Sequence, residues 1–319
     1  MSAPVFSLRQ CLEAYLEDRR TRHYSENTLA KYREHVGRFI HWAWQQGVLN
    51  PADLSGAVLH AYQRYLLDYR HPTRGTALSP LTRHGLLVRV QTFLHWLARQ
   101  GLIPPLTMTL PKAERPLPRV LSVSEMERLL HTVDVQVPFG VRDRAMLETL
   151  YATGVRGGEV ARLCQEDLEL DSGWLMVRQG KGQKDRRVPL GERAVDWLTQ
   201  HLRDERPRSR GAKQHEEVFL THLGVPYGAK GVSGLVNRTL KKAGLGERGG
   251  SHLIRHSMAT HMLQNGADIR FIQVMLGHND LASTQIYTRV LDPALKAVHT
   301  AAHPARLRVE EAETGGREA

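Results

Sequence analysis

Apolar positions recur at three- and four-residue intervals through most of the chain, the spacing that lines one face of an α-helix. In the first hundred residues they predict four helices. The first covers residues 7–22 on Leu8, Leu12, Tyr15 and Leu16, and the second 26–46 on Leu29, Tyr32, Val36, Phe39, Ile40 and Ala43. A third spans about 55–68, and a fourth about 80–100 on Leu86, Leu87, Val90, Phe93, Leu94 and Leu97. Gly47 and Gly101 stand where left-handed residues end helices. Stripes of this kind are core rather than a cofactor box. Then come Pro104, Pro105, Pro111, Pro116 and Pro118, which remove backbone donors and disfavour helix in the residues before them. The pattern predicts a helical domain over 1–103, an extended proline-rich linker over 104–118, a second domain over 119–302 and a solvated, glutamate-rich tail over 303–319.

The second domain opens on Ser122-Val123-Ser124-Glu125, a capping-box pattern leading into a helix through residue 133. Short strands are expected at 167–170, 174–178 and 186–190. Asp171-Ser172-Gly173 and Gly180-Lys181-Gly182-Gln183-Lys184-Asp185 supply the turns of an antiparallel sheet. Further helices are expected at 192–206, 231–243, 252–265, 269–276, 282–290 and 294–301. The fold class is therefore mainly α with a small antiparallel β-sheet.

Composition narrows the partners. The formal charge is +11, with 13 Lys and Arg against 7 Asp and Glu in residues 1–110 and 31 against 26 in the rest. A basic balance in both parts favours a polyanion lying across both. No run of apolar residues is long enough for a membrane span, and the N-terminus lacks a signal-peptide pattern. Cys11 and Cys164 are far apart, which excludes a disulfide framework and points to a reducing cytoplasm.

The candidate chemistry centres on Tyr287. A phenol with a pKa of about 10 attacks at neutral pH only with a proton acceptor and cationic surroundings; alone, Tyr287 reads as a half-buried core residue. His252 and Arg255 lie three apart on one predicted helical face, and His278 stands nine residues before Tyr287. Arg156 follows Thr153-Gly154 at a helix start, with Glu159 placed to hold it, although a surface ion pair has the same spacing. Two guanidiniums can clamp the non-bridging oxygens of a phosphodiester as charge builds there. Lys181 sits in a glycine-flanked turn beside Lys184, Arg186 and Arg187, suited to phosphate contacts or to protonating a leaving oxygen. His252 and His256 have the spacing of a zinc pair, but no third ligand stands nearby, so neither metal nor cofactor is expected.

In this order and spacing, four segments together resemble the tyrosine recombinase (lambda-integrase-like) family, and most of all its Xer-like bacterial members. They are Ala152-Thr153-Gly154-Val155-Arg156-Gly157-Gly158-Glu159, the turn around Lys181, His252-Leu253-Ile254-Arg255-His256, and Leu276-Gly277-His278 followed by Tyr287. The resemblance covers nearly the whole chain. It implies a SAM-like four-helix core-binding domain joined to a catalytic domain, the two closing around double-stranded DNA. It also implies roles: Arg156 and Arg255 as phosphate clamps, Lys181 as general acid, His252 managing the tyrosine proton, His278 on the scissile phosphate and Tyr287 as nucleophile. The product would be a 3′-phosphotyrosyl bond, religated through a Holliday junction without metal or ATP. Relatives assemble four protomers on two sites through a C-terminal helix, here near residues 292–302, as homo- or hetero-tetramers. Lys31, Arg83 and Arg89, with Lys184 and Arg186, are candidate DNA contacts, or solvated surface charge. Gly157-Gly158 departs from the family, where larger residues precede the glutamate. Each glycine weakens a helix by roughly 1 kcal/mol, which puts the rigidity of the Arg156 mount in question.

The expected activity is site-specific DNA recombination. The arginine-rich surface and acidic tail favour integration or transposition of a mobile element over Xer-type resolution of chromosome or plasmid dimers. A type IB topoisomerase-like nicking–closing enzyme would use the same chemistry. A non-catalytic DNA-binding regulator would have no use for the intact set.

Overall fold

A computed structural model describes residues 7–73, 75–111, 118–178 and 185–277. The chain divides into two compact units, Met1–Pro116 and Leu117–Ala319.

Among the described residues of the first unit, four helices form the frame: α1 (Leu8–Thr21), α2 (Glu26–Gln45), α3 (Gly56–Asp68) and α4 (Pro80–Arg99). A serine starts each. The hydroxyls of Ser7, Ser25, Ser55 and Ser79 accept the backbone N–H three residues on, satisfying a donor that has no intrahelical partner. The buried stripes meet in an aromatic centre, with the Tyr15 ring edge-on to Phe93 and Trp96, and Phe39 against Tyr62. The stretch after α4 runs extended along this unit. Gln91 donates to Leu106 O at 2.8 Å and accepts from Met108 N at 2.7 Å, while Gln63 donates to Thr109 O. The proline-rich segment up to Pro111 is thus bonded to the helical core, with Ile103 and Met108 buried in it.

The second unit begins with α5 (Val123–His131), capped by the Ser122–Glu125 box that the sequence predicts. Its centre is α6 (Gly140–Thr153), packed against α8 (Glu192–Gln200) and α10 (Gly250–Gln264), with α9 (Ala229–Lys242) packed against α10. The sequence pattern did not predict α6. It is buried on nearly every side, so its apolar residues make no stripe, and it carries Arg142, Arg144 and Glu148 into the interior. Glu148 accepts from Arg144 and Arg193, and Arg144 lies over the Trp197 ring, so the interior charges are paired. Among the described residues, β1 (Leu168–Glu169), β2 (Trp174–Val177) and β3 (Arg186–Pro189) pair antiparallel in that order, with Leu175 opposite Val188. After α8 the chain widens into a π turn over His201–Glu205 and then tightens into a 3₁₀ turn over Arg206–Arg208, rather than staying α-helical to 206.

Two features position the site. Both backbone groups of Leu121 are held by α10: its N–H donates to Ser257 Oγ at 2.9 Å, and its carbonyl bonds His261 Nε2 at 2.8 Å. The last described helix, α11 (Ile269–Leu276), ends on Gly277 in the left-handed conformation, φ 61°, beside β3. The helices expected at 282–290 and 294–301 lie outside the described residues.

Candidate active site

Arg156 caps the short helix α7 (Gly157–Val160) from an extended backbone. Glu159 accepts the Arg156 backbone N–H and its guanidinium, each at 2.8 Å. The same carboxylate receives two N–H groups from Arg186 on β3, at 3.0 and 2.8 Å. Burial alone would raise the Glu159 pKa. The Arg186 bonds, the Arg156 backbone bond and the two positive charges outweigh it and hold the carboxyl at about 2.

A carboxylate held this far below its ordinary 4.5 stabilises the fold by roughly 3 kcal/mol above that pH, and the contribution is lost as pH falls toward 2. Urea unfolding of the protein and of Glu159→Gln should therefore differ most at neutral pH, with the gap narrowing between pH 4 and pH 2. A gap independent of pH would contradict the assigned charge.

The glycine pair has a packing cause at one position. A Cβ on Gly157 would lie 2.6 Å from Ser251 Oγ and 3.2 Å from its Cβ, so an alanine here would force the Ser251 side chain at the start of α10 to move. On Gly158 the nearest neighbour would be Ala229 Cβ at 3.6 Å, an ordinary contact. The bonds on Glu159, rather than helix propensity, hold Arg156.

Helix α10 carries the second guanidinium. Arg255 is only 3% exposed, and donates to Gly154 O at 2.6 Å and to Leu276 O at 2.7 Å. Gly154 ends α6 at φ 61°, and a side chain there would meet Met258 Cε at 2.0 Å. That left-handed turn aims its carbonyl at Arg255. One turn before Arg255, His252 is exposed at the surface. Partial burial of its ring, then the charges of Arg255 and Arg156, lower its pKa. His256 is held at about 4 by burial, then by His252 and Arg255. Both shifts favour the uncharged imidazole, the form in which His252 can take up a proton.

The arginines meet at the end of α11. Met275 O accepts from Arg186 Nε at 2.8 Å, Leu276 O from Arg255, and Gly277 O from Arg156 in a longer contact of 3.4 Å. A helix C-terminus carries partial negative charge, so three guanidiniums on three successive carbonyls are favourably placed. His278 is the next residue in the sequence.

Of the residues singled out from sequence, Arg156, Glu159, Arg186 and Arg255 come together, with His252 on the same helix as Arg255. Lys181, Lys184, His278 and Tyr287 lie outside the described residues; the two lysines fall between β2 and β3 in sequence. In the first unit, Lys31 is exposed on α2, while Arg83 and Arg89 are half-buried on α4. Arg89 donates to Gly85 O and reaches His35 Nδ1 at 3.4 Å. Sequence reasoning assigned Arg186 to a basic strip and missed its bonds to Glu159 and Met275 O. Its side chain is 10% exposed. Among the described residues, no group of His, Cys, Asp and Glu is placed to hold a metal, and no helix is long and apolar enough to cross a membrane.

Three guanidiniums and an imidazole thus gather at the end of α11, and known proteins resemble the chain in sequence and fold. Residues 119–293 match the model of the phage integrase family. Tyrosine recombinase XerC 2 of Ralstonia nicotianae is 44% identical, over 95% of this chain and 88% of its own length. Tyrosine recombinase XerD of Listeria innocua is 34% identical, over 88% of this chain and 93% of its own. The crystal structure of XerA recombinase superposes with a TM-score of 0.53 at 29% identity, covering 93% of this chain and 99% of that one. The chain belongs to the phage integrase family, the tyrosine recombinases, which are DNA strand-transferring enzymes. Within that family it is Xer-like.

Proposed function

We propose that this protein recombines double-stranded DNA at specific sites through Tyr287, and that it serves Xer-type resolution of chromosome or plasmid dimers. The observation that carries the chemistry is the convergence of Arg156 and Arg255 on the end of α11, one residue before His278. In the proposed step, Arg156, Arg255 and His278 bind the non-bridging oxygens of the scissile phosphate. The Tyr287 phenol passes its proton to neutral His252 as its oxygen bonds phosphorus. The bond from phosphorus to the 5′-oxygen breaks, and Lys181 protonates the leaving oxygen. The result is a 3′-phosphotyrosyl ester and a free 5′-hydroxyl. Attack by a 5′-hydroxyl from the partner duplex reverses the step, releases Tyr287 and builds a Holliday junction, with no metal or ATP consumed. A homo-tetramer, or a hetero-tetramer with a related recombinase, would exchange both strand pairs.

The full-length similarity to proteins named XerC 2 and XerD supports dimer resolution over the mobile-element role that the arginine-rich surface and acidic tail suggest. Deleting the gene should then raise the fraction of multimeric replicons. Loss of excision of a mobile segment, with multimers unchanged, would reverse that assignment. The chemistry is tested with a suicide substrate nicked beside the scissile phosphate, in EDTA and without nucleotide. A protein–DNA adduct that survives denaturation is expected; no adduct, or one that needs Mg²⁺, would overturn the mechanism.

A further inference from the structure

We infer that Arg186 is a positioning residue for strand cleavage: it ties the Glu159 carboxylate to the end of α11, and so fixes Arg156 and Gly277 in one frame. The inference rests on the tyrosine recombinase chemistry proposed above and adds a residue that works through others, without touching DNA.

All three Arg186 nitrogens are engaged. Nη1 and Nη2 meet the two oxygens of Glu159, and Nε donates to Met275 O. The guanidinium therefore bridges α7, which carries Arg156 at its cap, and α11, which delivers the chain to His278. Its planar fork suits this task, since a lysine ammonium cannot meet both carboxylate oxygens and a carbonyl on the opposite side in one fixed plane. Space is tight as well. A Cβ on Gly277 would lie 3.1 Å from Arg186 Cδ, Nε and Nη1, so the left-handed glycine lets the arginine lie against the backbone. With a side chain only 10% exposed, three of its five N–H groups on protein acceptors and its charge set against Glu159, Arg186 is poorly placed to neutralise a DNA phosphate. A basic residue in a strip of basic residues serves here as a bracket.

The test compares the native protein with Arg186→Lys and Arg186→Gln in single-turnover adduct formation on the suicide substrate, with DNA affinity measured separately across a salt series. Each variant is scored per folded molecule. The bracket predicts that Arg186→Gln slows cleavage of bound DNA about a hundredfold, the scale of a small misplacement at a reacting centre. Arg186→Lys should recover part of that rate, and both variants should keep the native affinity and salt slope. In a Glu159→Gln background, adding Arg186→Gln should cost little more, because the two residues act as one unit. Native cleavage rates in Arg186→Gln would overturn the inference. So would an affinity loss with a salt slope shallower by about 1, the mark of a lost phosphate contact. If the native protein itself forms no adduct, the underlying chemistry fails, and that result is distinct from a native protein that cleaves alongside variants that cleave equally well.

Discussion

Tyr287→Phe is expected to abolish the covalent adduct with nicked DNA while leaving DNA affinity unchanged. The substitution removes one oxygen and almost no volume, so it isolates nucleophilicity from packing. Loss of a nucleophile leaves only binding and electrostatic stabilisation, and the rate should fall by at least about 10⁴-fold. The proposed attack needs a proton acceptor that is empty at neutral pH. His252 is the proposed acceptor, and partial burial and the neighbouring guanidiniums lower its pKa in that direction. Adduct formation should accordingly persist to mildly acidic pH and fail once His252 is protonated. An adduct that survives in Tyr287→Phe would assign the nucleophile to another residue and remove the role proposed for His252.

The second large effect is expected at Arg255, where stability and catalysis fall together. Arg255→Gln strips the donors from two carbonyls, Gly154 O and Leu276 O, each bonded at 2.7 Å or less. Charged hydrogen bonds of this kind contribute enough that the fold should lose about 2–4 kcal/mol. Separately, the proposed phosphate clamp loses one guanidinium, and removing a single preorganised donor is expected to slow cleavage by about 10²–10³-fold. Chemical denaturation reads the first quantity. Single-turnover cleavage, normalised to folded protein, reads the second. A variant that is destabilised yet cleaves at the native rate would make Arg255 a structural brace and leave Arg156 as the phosphate clamp.

Much of the fold was legible in the sequence, because most helices are half-buried and wear their stripe on one side. The four predicted helices of residues 1–103 match α1 to α4 to within about a residue at each end, where serine caps and C-terminal glycines mark the limits. Helix α6 was invisible for the opposite reason. Surrounded on nearly all sides, it has no polar face, and Arg142, Arg144 and Glu148 look like surface residues until their partners are seen. The site was legible where side chains pair over short distances, as Arg156 does with Glu159. It was opaque where the partner is a backbone carbonyl. Met275, Leu276 and Gly277 act through oxygens that every residue possesses, so the Leu276-Gly277 run is legible as a motif while its bonds to the arginines are not. Arg186 was obscured in the same way, since one partner lies 27 positions upstream and the other is such a carbonyl.

The end of α11 has a consequence for charge balance at the moment of bond exchange. Its carbonyls orient Arg156, Arg186 and Arg255 as neutral dipoles, without cancelling their charge. Against these three guanidiniums stands the single carboxylate of Glu159, so the four side chains together carry two positive charges. A resting phosphodiester bears one negative charge; the five-coordinate phosphorus through which a strand changes partners bears two. In the proposed reaction the net charge of this cluster is matched to the fleeting species rather than to the DNA on either side of it, the condition under which binding energy becomes rate.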